Sequence, residues 1–270
     1  MNPLYISAYV VNFEDYATLA DWCRTAPVAG VGPELAAGWK APDFYENLQA
    51  NAQRFMDMSV TFHAPFVDLA CEEGSAAEED ARRQLETAFA LYRQFDACSM
   101  VIHTHEGAPE GDFDAARQRS TQRLLALGEA ARKAGVSLTV ENVGFPDRGT
   151  YLYDLEQFCA LFDTLPEDMG CLIDTGHALR NSWDMPALIR RLGTRIRGYH
   201  IHTNNGVRDL HWPIYHAESR LTRAQMDEIL DTIAAVTPDA HIILEYSPTC
   251  GVTREIMHAD IAAIAAKCGK

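Results

Sequence analysis

Short apolar runs alternate with longer stretches of helical periodicity from one end of the chain to the other. The runs lie near Leu4–Ala8, Val31–Ala36, Ser59–His63, Ser99–His103, Ser137–Glu141, Met169–Asp174, Arg195–His202 and His241–Tyr246, and each is short and β-rich enough to predict a strand. Between them, helices are predicted near Glu14–Cys23, Pro42–Met56, Glu78–Ala97, Ala115–Ala134, Asp154–Phe162, Met185–Leu192 and Arg223–Val236, with a last one from about Thr253 to Lys267. The third helix carries the pattern well. Leu85, Phe89, Tyr92 and Phe95 recur at three- and four-residue spacing, while Arg82, Arg83, Glu86 and Arg93 take other faces. Gly135 reads as the stop of the fourth helix and Thr222 as the cap of the seventh. This alternation, with no linker or low-complexity segment, predicts an α/β fold, a single (β/α)8 TIM barrel over residues 1–270. A doubly wound open sheet is disfavoured, because no glycine-rich phosphate loop follows the first strand; Gly30 and Gly32 lead into the second strand instead.

Seven of these strands close on a residue able to bind a metal: Glu34, His63, His103, Glu141, Asp174, His202 and Glu245. A lone histidine or glutamate in such a place is more often a core or capping residue. Repeated on strand after strand of a parallel barrel, these ends converge on one face, and the constellation predicts an active-site mouth. The loops add further donors of the same kind. His177 follows Asp174 by three residues, and Asp209 and His211 follow the seventh strand. Imidazole and carboxylate are ligands of zinc, manganese, cobalt and related divalent ions, so one to three ions are expected as cofactor. At two strand ends a second histidine competes. His103 is preferred to His105 because it directly ends the apolar run, and His200 shares a strand face with His202.

Charge narrows the partners. At 270 residues and a formal net charge of −15, the chain repels polyanions, and no Lys/Arg cluster overrides this, so nucleic acid is disfavoured as a partner. No apolar stretch is long enough to span a bilayer, and no membrane partner is expected. The seven cysteines are scattered without a C-x-x-C pair and read as buried small hydrophobes. The opening MNPLYISAYV lacks a basic leader pattern, and a cytoplasmic location is the expectation.

The motifs FHAPF, ENVG, DTGH, HTNNG followed by RDLH, and LEY make the chain resemble the xylose isomerase-like TIM-barrel superfamily over essentially its whole length. That superfamily holds sugar isomerases and epimerases together with apurinic endonucleases of the endonuclease IV type. In its three-metal members, the resemblance implies one ion on His63, His103 and Glu141, and a second on Glu141, Asp174, His202 and Glu245. A third would sit on His177, Asp209 and His211. His202 is preferred to His200 here because HTNNG fits the family's His-x-x-Asp/Asn-Gly pattern. In the ketose epimerase branch only the middle ion is kept. Glu141 and Glu245 then act as acid and base, while His177 and Arg208 hold substrate oxygens. The stretch Pro213–Glu218 departs from the Gly-Glu-Gly segment of many sugar isomerases.

The leading expectation is therefore a metal-dependent isomerase or epimerase of a sugar, sugar phosphate or related polyol, active in carbohydrate metabolism. Glu141 and Glu245 are the catalytic pair, with His177, Arg208, Glu34 and Trp39 at the substrate. Phe66 is a second candidate for the apolar wall beside Trp39. The runner-up is a zinc-cluster hydrolase of phosphodiesters or of a smaller substrate, and an inactive binding module ranks last. A homo-oligomer is compatible with the sequence.

Overall fold

Every expected strand pairs in parallel with the next, and the last returns to the first, so β1 to β8 form a closed barrel in chain order. The computed structural model describes residues 2–109 and 111–269. Its strands are β1 (Leu4–Ser7), β2 (Gly32–Ala36), β3 (Thr61–His63), β4 (Ser99–His103), β5 (Leu138–Glu141), β6 (Gly170–Asp174), β7 (Ile196–Ile201) and β8 (His241–Leu244). The helices are α1 (Tyr16–Arg24), α2 (Phe44–Asn51), α3 (Ala76–Gln94), α4 (Phe113–Ala134), α5 (Leu155–Thr164), α6 (Thr175–Arg180), α7 (Met185–Leu192), α8 (Arg223–Val236) and α9 (Arg254–Cys268). The barrel is thus a (β/α)8 TIM barrel. No described helix is long and apolar enough to cross a membrane.

Strand alternation divides the apolar residues into two cores. Leu4, Ile6, Met100, Ile102, Cys171, Ile173, Ile242 and Leu244 point outward and join the large core beneath the helices. Tyr5, Val101, Leu172 and Ile243 point inward and pack together as the barrel floor. The parity that carries the floor also carries the chemistry. Two residues further up the same strands stand Ser7, His103, Asp174 and Glu245.

Helix starts are set by side chains that satisfy free backbone N–H groups. Thr222 and Asp154 form full capping boxes with Gln225 and Gln157, and Gly135 ends α4 in the left-handed conformation. One helix lies outside the sequence expectation. Residues Thr175–Arg180, read as loop, form α6 because the Asp174 carboxylate accepts the His177 backbone N–H.

Candidate metal centre

Six histidines and five carboxylates converge above the barrel floor. They are His63, His103, His177, His200, His202 and His211, with Glu34, Glu141, Asp174, Asp209 and Glu245. Backbone locks deliver them. Asn142, next to Glu141, donates to the Asp174 carbonyl and accepts the Asp174 N–H at 2.8 Å, tying the end of β5 to the start of α6. After β7 the chain turns back on itself. Thr203 and Trp212 exchange backbone hydrogen bonds of 2.9 and 2.8 Å, and Asn205 Oδ1 accepts the N–H groups of Val207 and Arg208. This folds Asp209 and His211 over the mouth, where Ser247 N–H holds the His211 carbonyl at 2.9 Å. Gly176 keeps that corner open, since a Cβ there would lie 2.0 Å from the His202 ring.

The imidazoles follow a rule. His63 donates from Nδ1 to the Ala64 carbonyl at 2.7 Å, His177 from Nδ1 to the Asn142 carbonyl at 2.9 Å, and His211 from Nδ1 to the Glu245 carbonyl at 3.0 Å. His103 uses Nδ1 on the Glu106 carboxylate, and His200 uses Nε2 on Glu34 at 3.1 Å. A carbonyl or ionised carboxylate only accepts, so each anchored nitrogen carries the proton and the opposite nitrogen is turned toward the cluster.

Those free nitrogens stand at ligand-like separations from the inner carboxylates. His103 Nε2 and His63 Nε2 lie 3.3 and 3.7 Å from Glu141 Oε2. His200 Nδ1 lies 3.5 Å from Glu141 Oε1, 3.6 Å from Glu245 Oε2 and 3.9 Å from Asp174 Oδ2. His177 Nε2 and His211 Nε2 each lie 3.3 Å from Asp209 Oδ2. Two donors on one tetrahedral ion at ordinary zinc distances stand about 3.4 Å apart. Hydrogen bonding does not satisfy this interior: Glu141 Oε2, His200 Nδ1 and Asp209 Oδ1 are buried without a partner. The donor set and its orphaned atoms fit divalent ions.

Electrostatics agree. Burial alone would neutralise these groups, yet their mutual attraction outweighs it. Against its desolvation, the imidazoles of His200 and His103 hold Glu141 well below the ordinary carboxylate range. His200 and His211 do the same for Glu245, and His177 and His211 for Asp209. In return, burial being overcome, Glu141 and Glu106 push His103 up to about 10. His177, His200 and His211 are likewise raised well above their usual value by neighbouring carboxylates.

The cavity above the cluster holds about 220 Å³ and is lined on its far side by Tyr9, Phe13, Trp39 and Phe66. Trp39, a candidate for the substrate wall, is one of these lining residues. Glu34 does not line the cavity: it is 1% exposed, inside β2 rather than at its end, and touches His200 from behind. Arg208 is exposed on the loop and is absent from the lining. His105 turns away to the Thr150 carbonyl. At the end of β7 the geometry favours the residue the motif passed over. His200 pairs with Asp174 across the sheet and faces the inner carboxylates, whereas His202 Nε2 is bonded to Asp174 Oδ2 at 2.9 Å and its ring stacks on His211 at 3.8 Å. His202 still belongs to two of the donor groups, one with Asp174 and Glu245 and one with His177, Asp209 and His211. Glu106, three residues past His103, and Asn142, inside the ENVG motif, carry no role in the sequence reading.

Residues 21–264 match the family model described as xylose isomerase-like TIM barrel. No curated protein matches the chain in sequence. Among solved structures, a D-tagatose 3-epimerase-like protein is similar at a TM-score of 0.75 and 18% identity, covering 98% of this chain and 99% of that one. The IolI protein with a bound zinc atom is similar at 0.76 and 15%, covering 98% and 97%. An AP endonuclease of family 2 from Brucella melitensis is similar at 0.69 and 18%, covering 95% and 97%.

Proposed function

Because the chain belongs to the xylose isomerase-like TIM-barrel family, we propose that it is a metal-dependent isomerase or epimerase of a sugar or related polyol, working as a single domain in the cytoplasm. The observation that carries this reading is the convergence of two buried glutamates on one imidazole nitrogen, with Glu141 Oε1 and Glu245 Oε2 at 3.5 and 3.6 Å from His200 Nδ1. Glu141, Asp174, His200 and Glu245 would hold a divalent ion, with zinc, manganese or cobalt suited to that set, and when bound it would supply Lewis-acid polarisation of a substrate carbonyl. One glutamate removes the proton from the carbon beside the carbonyl. The other, entering the step protonated, delivers its own proton to the opposite face, giving epimerisation, whereas redelivery of the first proton to the neighbouring carbon of the enediolate gives isomerisation. His177 lines the cavity within reach of a substrate oxygen, and the aromatic side formed by Tyr9, Phe13, Trp39 and Phe66 keeps water from the exposed carbanion. Among the described residues, no Lys or Arg lines this cavity, which favours an unphosphorylated substrate. The neighbours named as epimerases of tagatose, psicose and ribulose point the same way.

The test is interconversion of unphosphorylated ketose epimers, or of ketose with aldose, followed by chromatography on metal-loaded and chelator-stripped protein. Turnover that requires the ion supports the reading. Metal-loaded protein that converts none of a panel of ketoses counts against it. A second reading, hydrolysis by a zinc cluster, is favoured by the complete His177–Asp209–His211 triad and opposed by the net charge of −15 where DNA is concerned.

Metal binding is also expected to release protons. His103, raised to about 10, is protonated at neutral pH in the metal-free chain, as are His177, His200 and His211. An ion must displace those protons, so affinity rises with pH, and about one or more protons leave per ion. The sign for stability is opposite: the ion pairing of His103 is fully present below its unfolded value and is lost as pH rises through about 10. Calorimetry of zinc binding in buffers of different ionisation enthalpy measures the count. Binding without proton release contradicts the arrangement.

A further inference from the structure

Beside the metal cavity a second cavity of about 470 Å³ opens between the loops after β2, β3 and β4. The two are adjacent, sharing Trp39 and Phe66 in their linings. Its walls are of two kinds. Trp39, Tyr45, Pro65 and Phe66 offer ring faces, with Tyr45 and Phe66 40% and 41% exposed; Lys40, Gln84 and Glu106 offer hydrogen-bonding groups.

The platform is built rather than incidental. Phe66 is wedged edge-on against Trp39 at 5.8 Å and against His103 at 5.1 Å. Tyr45 donates its hydroxyl to the Ala37 carbonyl at 3.2 Å. Gly38 lets these loops close, because a Cβ there would stand 3.1 Å from Pro65 and 3.3 Å from the Tyr45 hydroxyl. Flat apolar faces bordered by polar groups suit a sugar ring, which has an apolar face of C–H bonds and a rim of hydroxyls. The inner cavity, at about 220 Å³, falls below the range of about 300–1,000 Å³ usual for larger ligands, so a second ring on a sugar bound there would extend beyond it.

We propose that the cavity of Trp39, Tyr45, Pro65 and Phe66 is a glycosyl subsite, and that the preferred substrate is a ketose bearing a second sugar ring. This rests on the proposed ketose chemistry of the inner site. The test is titration calorimetry of metal-loaded protein with D-fructose and with its glycosyl derivatives lactulose, maltulose and isomaltulose. At least one derivative is expected to bind about tenfold or more tighter than fructose, the scale of one good stacking contact. Tyr45→Ala and Gln84→Ala, at positions that touch only the outer cavity, are expected to remove that gain and leave fructose binding unchanged. Glycosyl ketoses that bind no better than fructose, or a gain that survives both variants, overturn the subsite while leaving the ketose reading intact. Absence of binding by fructose and by all three derivatives overturns both.

Discussion

Glu141→Gln is expected to lower turnover of a ketose by about 10³-fold or more, the upper range for loss of an acid–base group, and to weaken metal binding with it. Glu141 joins two donor groups: Oε2 serves His63 and His103, and Oε1 stands 3.5 Å from His200. Glutamine keeps the shape and one oxygen but removes the charge that holds these imidazoles in place. It also ends the carboxylate's capacity to accept a proton from carbon. The measurement is kcat beside metal content per chain, with thermal unfolding to establish that the variant folds. A folded Glu141→Gln protein with wild-type turnover would remove Glu141 from the chemistry.

His200→Ala is expected to abolish the ion at the centre, whereas His202→Ala is expected to weaken it by about 10–100-fold, the usual effect of an outer-shell group. His200 lies within β7 and His202 just past its end, and the two differ in what surrounds them. His200 is anchored by Glu34 at 3.1 Å and turns an unpartnered nitrogen toward three carboxylates. His202 spends Nε2 on Asp174 and leaves Nδ1 without an anchor. Titration of the stripped variants with cobalt, whose visible spectrum reports coordination, separates the two. The reverse order of losses would restore His202 as the central donor.

Much of this was legible in the sequence because barrels repeat a simple grammar. Apolar runs of strand length, helices with 3.6-residue periodicity and caps such as Thr222 and Gly135 each have a local cause, and local causes leave local patterns. Strand ends bearing histidine and carboxylate likewise pointed to one face. What escaped depends on height along a strand or on loop path. Glu34 sits two residues inside β2, and that depth turns it from the cavity to His200. The choice between His200 and His202 turns on how far β7 continues, a boundary that alternation alone leaves open. Only the family resemblance places Arg208 at the substrate. The bridge between Thr203 and Trp212 instead carries Asp209 and His211 inward while Arg208 is exposed. The helix α6 is one turn and a half long and nucleated by a single side chain, too short to leave a periodic trace.

Proton transfer at the carbon beside the carbonyl is tested most directly by solvent deuterium exchange. Metal-loaded protein incubated with unphosphorylated ketoses in D2O is followed by proton NMR at the carbons beside the carbonyl. Wash-in is expected at one such carbon, dependent on the ion, stopped by chelation and lost in Glu245→Gln. Metal-loaded protein that exchanges no carbon-bound proton in any ketose while hydrolysing a phosphodiester would contradict that proton transfer.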